Sequence, residues 1–422
     1  MVASTDIKFY VHTNNNAPQL QNTYGSMINV LDACLVDGIN IGPISSLTAS
    51  GKTVTATFGS AHNLMQYQMI KITGAAQAEF NGEHRILSIP DTSSFTFELA
   101  AVPSVPTATG TISASLPPLG WEKPFSSSNP NGGGKAAYRS LNLLLPSRPF
   151  LRVVDELDPA YTATYAKYAK VGIVEDMTDI DTMLGAQAPF DSSDPNLNWV
   201  GTGSGASVIN GWAKWYYARS MSFLTGSTSS DTVTPLSRNR SWLIVGSSDW
   251  FYLLPTAIVD VNHIAYGFGC YDRISDADIS NWFLSATFYK AAASFGFRVA
   301  PETPLVDTNN AKLILYKNYL QGSYTLAKAA VVVPIGNNIS ILSGYTNYQP
   351  APQTLGYIAA SDMCVIETSG AVRGVLPAIA FAYQNQPMGH LGFAVINGEV
   401  YLAVQVAVTS NTNPGLIFLK VA

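Results

Sequence analysis

The sequence predicts a mainly β protein: a β-rich α+β host domain with a few helices, interrupted by a small β-sandwich or barrel insert. Three observations predict it. Residues 44–114 hold a dense series of short runs alternating polar and apolar, cut by turn residues, the signature of half-buried strands. Residues 393–406 (FAVINGEVYLAVQV) place two alternating runs around Asn397-Gly398, the dipeptide that best suits a two-residue hairpin. Helical periodicity, by contrast, is confined to a few short stretches.

In chain order, 7–12 (IKFYVH) has strand character and ends at the asparagines 14–16 and Pro18. Residues 26–36 (SMINVLDACLV) have helical spacing: Ile28, Leu31 and Leu35 form a stripe widened by Met27, Val30 and Cys34, with Ser26 as N-cap and Gly38 as the stop. The insert follows. Its strands are expected at 53–58 (TVTATF), 69–73 (MIKIT), 83–89 (EHRILSI), 94–99 (SFTFEL) and 109–114 (TGTISA), with a tight turn at Asn81-Gly82 and a break at Pro90-Asp91. Its expected core is Val54, Phe58, Ile70, Ile72, Ile86, Leu87, Phe95 and Phe97. A unit of roughly 70 residues with that core is only marginally stable. Insertions are tolerated where the host chain's ends lie together, so Ile41 and Pro117 are expected to be neighbours.

Beyond it, 117–125 (PPLGWEKPF) is expected to be an extended segment anchored by Trp121 and Phe125, 126–134 a flexible loop, and 135–145 a short helix. Residues 150–155 and 165–174 have strand character, 191–205 reads as loop, and 206–218 fits helix or strand equally. Two apolar strands at 241–246 and 250–254 flank a Ser-Ser-Asp turn; 258–267 favours a third, and a helix is expected around 277–284. Further strands are expected at 372–377 and 415–420. The domain layout is therefore 1–42 plus 117–300 as host, 43–116 as insert, and 301–422 as a C-terminal β-rich part, either continuous with the host or separate, with further breaks near 225–238 and 300–310.

Composition bounds the function. Of 422 residues 47% are hydrophobic, enough for a large core, and only 12% are charged, about half the usual share. The surface must then be built from Ser, Thr, Asn, Gln and Gly, which suits a protein packed against neighbours. A net charge of −5 without a basic block gives no electrostatic support for nucleic-acid binding. No apolar run is long enough for a membrane span, and the first residues (MVASTDIKFYVH) do not resemble a secretion signal. Cys34, Cys270 and Cys364 lie too far apart to suggest a scaffold or zinc site and read as free thiols.

No motif supplies chemistry. Gly51-Lys52-Thr53 resembles the end of a phosphate loop, but Ser46 stands where a Gly is needed and a strand follows. Gly203-Ser204-Gly205 lacks the spacing of a nucleophile elbow. His12, His62, His84, His263 and His390 are scattered. Glu175, Asp176, Asp179 and Asp181 are carboxylates that could cleave a glycosidic bond if paired across a cleft; a solvated loop is the simpler reading. Asp191, Asp194, Asn196 and Asn198 could offer oxygens to Ca²⁺ without matching the twelve-residue loop. Trp212, Trp215, Tyr216, Tyr217, Trp250, Phe251 and Tyr252 are core aromatics by default, or else stack sugars or build subunit contacts. No catalytic, cofactor or metal residue is assigned, and no cofactor is expected.

The insert's course, GKTVTATF, MIKITGA, FNGEHRILSI, SFTFEL, ATGTISA, resembles small Ig-like β modules of tailed-bacteriophage structural proteins. The host segments SMINVLDACLVDG, GWEKPF, YRS and VRGVLP resemble a family of phage and prophage virion structural proteins. That resemblance implies a non-enzymatic virion component (head decoration, neck or collar, or tail accessory), assembled in the host bacterial cytoplasm. It implies other virion proteins as partners and a homo-oligomer. A receptor- or glycan-binding tail or baseplate protein and a polysaccharide-cleaving virion enzyme are the alternatives.

Overall fold

The structure is a computed structural model describing residues 7–205, 208–220, 231–258, 262–275, 280–288, 314–317, 323–335, 338–342, 349–352, 360–367, 369–382, 384–385, 388–410 and 413–422. It is mainly β. Three sheets carry the architecture, and among the described residues the α-helix is short, Ser26–Leu31, continued by a π-helical Asp32–Asp37.

The insert's strands form a seven-stranded antiparallel sheet ordered Gly82–Arg85, Met69–Ala75, Gly110–Leu116, Ile39–Ser50, Thr53–Phe58, Ser94–Glu98, Ser88–Asp91. The twelve-residue strand Ile39–Ser50 serves both halves: its first part pairs with Gly110–Leu116, its second with Thr53–Phe58, with register shifts between Asn40 and Gly42 and between Ile44 and Ser46. Such shifts bend a strand and increase its twist. Ile39 pairs with Leu116 and Asn40 with Ser115, so the chain enters and leaves side by side. The expected core residues are buried, except Leu87, which is 40% exposed.

Hydrogen-bonded strand pairing separates this sheet from the rest, but packing does not. One apolar core runs from Leu47, Phe95 and Phe97 through the helix residues Val30 and Leu31 to Trp121 and Trp215. Polar contacts reinforce it. Gln68 Nε2 donates to Phe9 O and Asn14 Oδ1 at 3.1 and 3.0 Å, and Lys8 pairs with Glu83 at 2.9 Å. The Arg85 guanidinium donates to both Ile7 O and Val421 O.

The middle sheet runs Thr287–Phe288, Ala213–Ala218, Lys167–Met177, Phe150–Glu156, Gly133–Ser140, Trp121–Ser128, with Met183–Ala188 also paired to Lys167–Met177. Among the described residues the large sheet has 14 strands. Its main path is antiparallel: Lys8–Val11, Trp242–Gly246, Trp250–Pro255, Tyr266–Cys270, Trp282–Ser285, Ile314–Lys317, Tyr324–Ile335, Ala360–Ile366, Val372–Ala382, Asn413–Lys420, Glu399–Ser410, Phe393–Ile396. This sheet folds over on itself. Its two edge strands meet through Phe9 and Phe393 at 6.4 Å; Asp272–Arg273 pairs with Val372–Ala382; and the Tyr252 hydroxyl donates to Pro377 O at 2.8 Å. The enclosed face buries Leu243, Val245, Leu254, Phe283, Leu402 and Val404. The opposite face of the same strands, Trp242, Ile244, Phe251 and Leu253, packs on the middle sheet. Strands covered on both sides have no polar face to show, hence the unbroken apolar runs SWLIVG and WFYLL.

Several expectations are corrected. Residues 135–145 are not a helix: Gly133–Ser140 is a strand paired on both sides, and two ladders with both faces buried outweigh the helical preference of its alanines. The strand option holds for 206–218, as Ala213–Ala218. The helix around 277–284 is replaced by the strand Trp282–Ser285, with 276–279 outside the described residues. Of the strand expected at 258–267, residues 259–261 lie outside the described residues, and the described part forms a strand from Tyr266. Within the extended segment 117–125, residues from Trp121 on join a paired strand, and much of the 126–134 loop belongs to that strand and its neighbour, joined by a turn at 129–132. Asn81-Gly82 does not make the tight turn. Asn81 has φ −82°, and its side chain instead bonds both backbone groups of Ala75 at 3.0 and 2.7 Å. The helix is entered through Gly25 (φ 87°) with no Ser26 side-chain cap. The break near 300–310 and residues 225–230 of the earlier one lie outside the described residues.

Candidate functional site

The helix N-terminus shows how local sequence and distant chain cooperate. Asp155, fully buried on the middle sheet, accepts hydrogen bonds from Gly25 N and Met27 N at 2.9 and 3.1 Å and from the Tyr217 hydroxyl at 2.6 Å. Burial pushes its carboxyl up to about 6, against the opposing pull of those donors. Beside it lies a buried polar layer. Asp231 accepts from Tyr216 OH at 2.7 Å and pairs with Arg219 at 2.8 Å and Lys214 at 4.0 Å, and burial lowers Lys214 to about 8. These groups are paired with one another and enclosed, which fits a framework role.

The carboxylates at 175–181 do not converge on a cleft. Glu175 pairs with Lys317 at 3.0 Å; Asp179 accepts from the backbone N–H of Asp181 and Thr182 and shapes a turn; Asp181 pairs with Lys135 at 2.8 Å and Arg152 at 2.7 Å. Asp181 does border a cleft of about 300 Å³ with Arg152, Lys170, Asp158 and Trp199, but these four ions pair off, Asp181 with Arg152 and Lys170 with Asp158, each at 2.7 Å, and Arg152 stacks on the Trp199 ring at 4.4 Å. Of the loop oxygens, Asn198 is buried and ties Val171 O to the N–H groups of Trp212 and Ala213, while Asp191 holds Ser193. Lys52 sits in a strand-to-strand turn and donates to Ala100 O at 2.9 Å. Gly203 and Gly205 take positive φ in a loop.

The histidines divide into two groups. His62 accepts from Leu64 N and packs against Phe95, and His84 packs at a tilt against Phe97 at 4.4 Å, both inside the insert. His263 and His390 stack at 4.8 Å, with His12 near enough to act on both. Burial lowers His263 to about 3. Among the described residues no group of three or more His, Cys, Asp or Glu is placed to hold a metal ion. Cys34 and Cys270 are buried free thiols and Cys364 is half-buried.

Six of the seven aromatics named from the sequence are at most 1% exposed; Trp250, at 8%, is the most open. Trp250 lines a cleft of about 620 Å³ where the two halves of the folded-over sheet meet. Its walls are the turn Ser247, Ser248, Asp249, then Asp272, Asp362, the segment 375–379, Glu399, Tyr401 and Lys420. A bulge builds one wall. Asp362 pairs with Ala380 and Cys364 with Val375, so four residues, 376–379, stand opposite Met363 alone, and Ala378 takes φ 54°. Bulges of this kind re-aim side chains beside sites. Asp249 Oδ1 accepts from Asn142 Nδ2 at 2.9 Å and Ser248 Oγ at 2.8 Å. Glu399 is held by Lys420 at 2.5 Å and Tyr401 at 3.1 Å, the ammonium keeping its carboxyl below the usual range. Burial raises Asp272. Sequence reasoning missed all four carboxylates, which are spread over 150 positions of chain; the Ser-Ser-Asp turn marked one strand end and nothing more.

No family model matches the chain, and no curated protein matches it. Among solved structures, the phage phi92 endosialidase matches over 89% of this chain and 67% of its own, at 12% identity and a TM-score of 0.17. A likeness that low carries no argument about this chain. Among the described residues no helix is long and apolar enough to cross a membrane.

Proposed function

We propose that the chain is a non-enzymatic structural component of a tailed-bacteriophage particle, present in symmetric copies and acting by packing against other virion proteins. The sequence resemblance motivates the reading, and one structural observation carries it. Leu141, Leu143 and Leu144 are 51%, 76% and 93% exposed. Their loop is nevertheless held in shape: Asn142 N donates to Ser140 Oγ, Leu144 N to Asn142 Oδ1, Asn142 Nδ2 to Asp249, and Arg148 Nη1 to Ser140 O. A pinned loop presenting leucines to water gains by being covered, at about 25 cal/mol per Å² of apolar surface removed. A scaffold of ladders with few charged residues fits the same role.

The test is a double substitution, Leu143→Ser with Leu144→Ser. Its urea stability should stay within about 0.5 kcal/mol of the parent, as surface changes usually do. Self-association in sedimentation, or incorporation into particles of a phage encoding the chain, should be lost. A parent that stays monomeric at high concentration and is absent from purified virions would sink the reading.

A further inference from the structure

The acidic cleft has the shape and chemistry of a ligand site. Its volume of about 620 Å³ falls within the roughly 300–1,000 Å³ typical of small-molecule pockets. Four carboxylates line it, Asp249, Asp272, Asp362 and Glu399, against a single ammonium, Lys420, which is already bonded to Glu399. Among the described residues, the carboxylates of Asp272 and Asp362 have no hydrogen-bonding or ion-pair partner, and Asp249 uses only one of its two oxygens on side-chain donors. Independently of the acids, Trp250 is 8% exposed in the cleft wall, and its indole N–H has no acceptor among the described residues. The nitrogen itself is not enclosed, so water or a ligand can reach it.

A ligand suited to this lining brings an acceptor for the indole and several donors for the carboxylates. A metal ion brings no acceptor, and the carboxylates do not converge on one point. An acidic ligand would meet like charge on three sides. Hydroxyl groups both donate and accept, and a sugar ring spaces them around an apolar face that an aromatic edge can touch.

We propose that this cleft binds a saccharide free of acidic groups, with Asp249, Asp272 and Asp362 accepting from its hydroxyls, the Trp250 indole N–H donating to one of its oxygens, and Tyr401 and Lys420 closing the rim. Glu399, fixed by Lys420 and Tyr401, positions those two rather than meeting the sugar first. The proposal goes beyond the assembly reading and does not depend on it.

The experiment uses the full chain on a broad glycan array carrying neutral, N-acetylated and acidic oligosaccharides. Saturation-transfer NMR with maltotetraose, cellotetraose and N-acetylchitotetraose follows, with sialyllactose as the acidic control. At least one uncharged glycan should bind. Asp272→Asn and Asp362→Asn, both at exposed positions and expected to fold normally, should each weaken it at least fivefold, and Trp250→Phe, which keeps an aromatic side chain but removes the N–H and part of the ring surface, should do the same. Binding of acidic glycans alone, binding unchanged in the two Asn variants, or no glycan binding at all would overturn the proposal. So would calorimetry in which Ca²⁺ or spermine binds in an Asp272-dependent way and no sugar competes.

Discussion

Replacing Asp155 by Asn separates a charge from the hydrogen bonds it makes. The carboxylate caps the helix through Gly25 and Met27 and receives the Tyr217 hydroxyl, with no exposure to water. An amide keeps an oxygen for the two backbone donors and turns its NH₂ toward the tyrosine oxygen, which can accept. What it removes is ionisation. The folded chain holds the Asp155 proton up to about 6, whereas the unfolded chain releases it near 3.8. Between those values the folded state binds more protons, so this group adds stability as pH falls through 6 and withdraws it as pH rises. At about 1.4 kcal/mol per pH unit, the gap amounts to roughly 3 kcal/mol. The Asn variant is therefore expected to be more stable than the parent above pH 7, by up to about 3 kcal/mol, and equal to it near pH 4. Asp155→Ala should lie below the Asn variant at every pH by about 2–4 kcal/mol, for a lost cap and an orphaned buried hydroxyl. Urea unfolding followed by tryptophan fluorescence at about pH 4.5, 6 and 7.5 reads all three, and every other titrating group cancels in the differences. A parent-minus-Asn difference that does not change with pH would refute the reasoning.

Three further outcomes are expected. His263 stays neutral in the fold down to about 3, so stability should fall as pH drops below 6.5, and His263→Gln should reduce that acid sensitivity in the same urea series. Asp181→Ala leaves Arg152, 3% exposed, without its carboxylate; because the Asp181 side chain is 56% exposed the cost should be about 1–2 kcal/mol, below the 3–5 of an enclosed pair, and a larger loss measured by urea would mean that Asp181 is enclosed in solution. Asn397→Ala puts a methyl-bearing residue at φ 54° in the hairpin and should cost about 1 kcal/mol, seen as a lowered Tm.

The legible parts of the fold were those with their own local chemistry. Thr53–Phe58 coincides with its alternating run, and Asn397-Gly398 makes the expected turn, with Ile396 paired to Glu399 and both turn residues at positive φ. Local signals failed where distant chain decides. The alanines of Gly133–Ser140 are strand residues because Phe150–Glu156 and Trp121–Ser128 flank them, and the helix N-terminus is capped by a residue about 130 positions away. The cleft was illegible for the same reason. Asp249, Asp272, Asp362 and Glu399 meet only because the large sheet folds over, and neither that fold-over nor the bulge at 376–379 has a period to detect.

The Arg85 clasp imposes an order of events. Its guanidinium belongs to the early third of the chain, yet one of the carbonyls it grips, Val421 O, emerges from the ribosome more than three hundred residues later. The seven-stranded sheet has all its ladder partners within residues 39–116, but its seat on the remainder stays unfinished until Val421 arrives. A truncation just before Val421 would thus loosen the seat of the seven-stranded sheet, a defect felt some 336 residues upstream of the lesion.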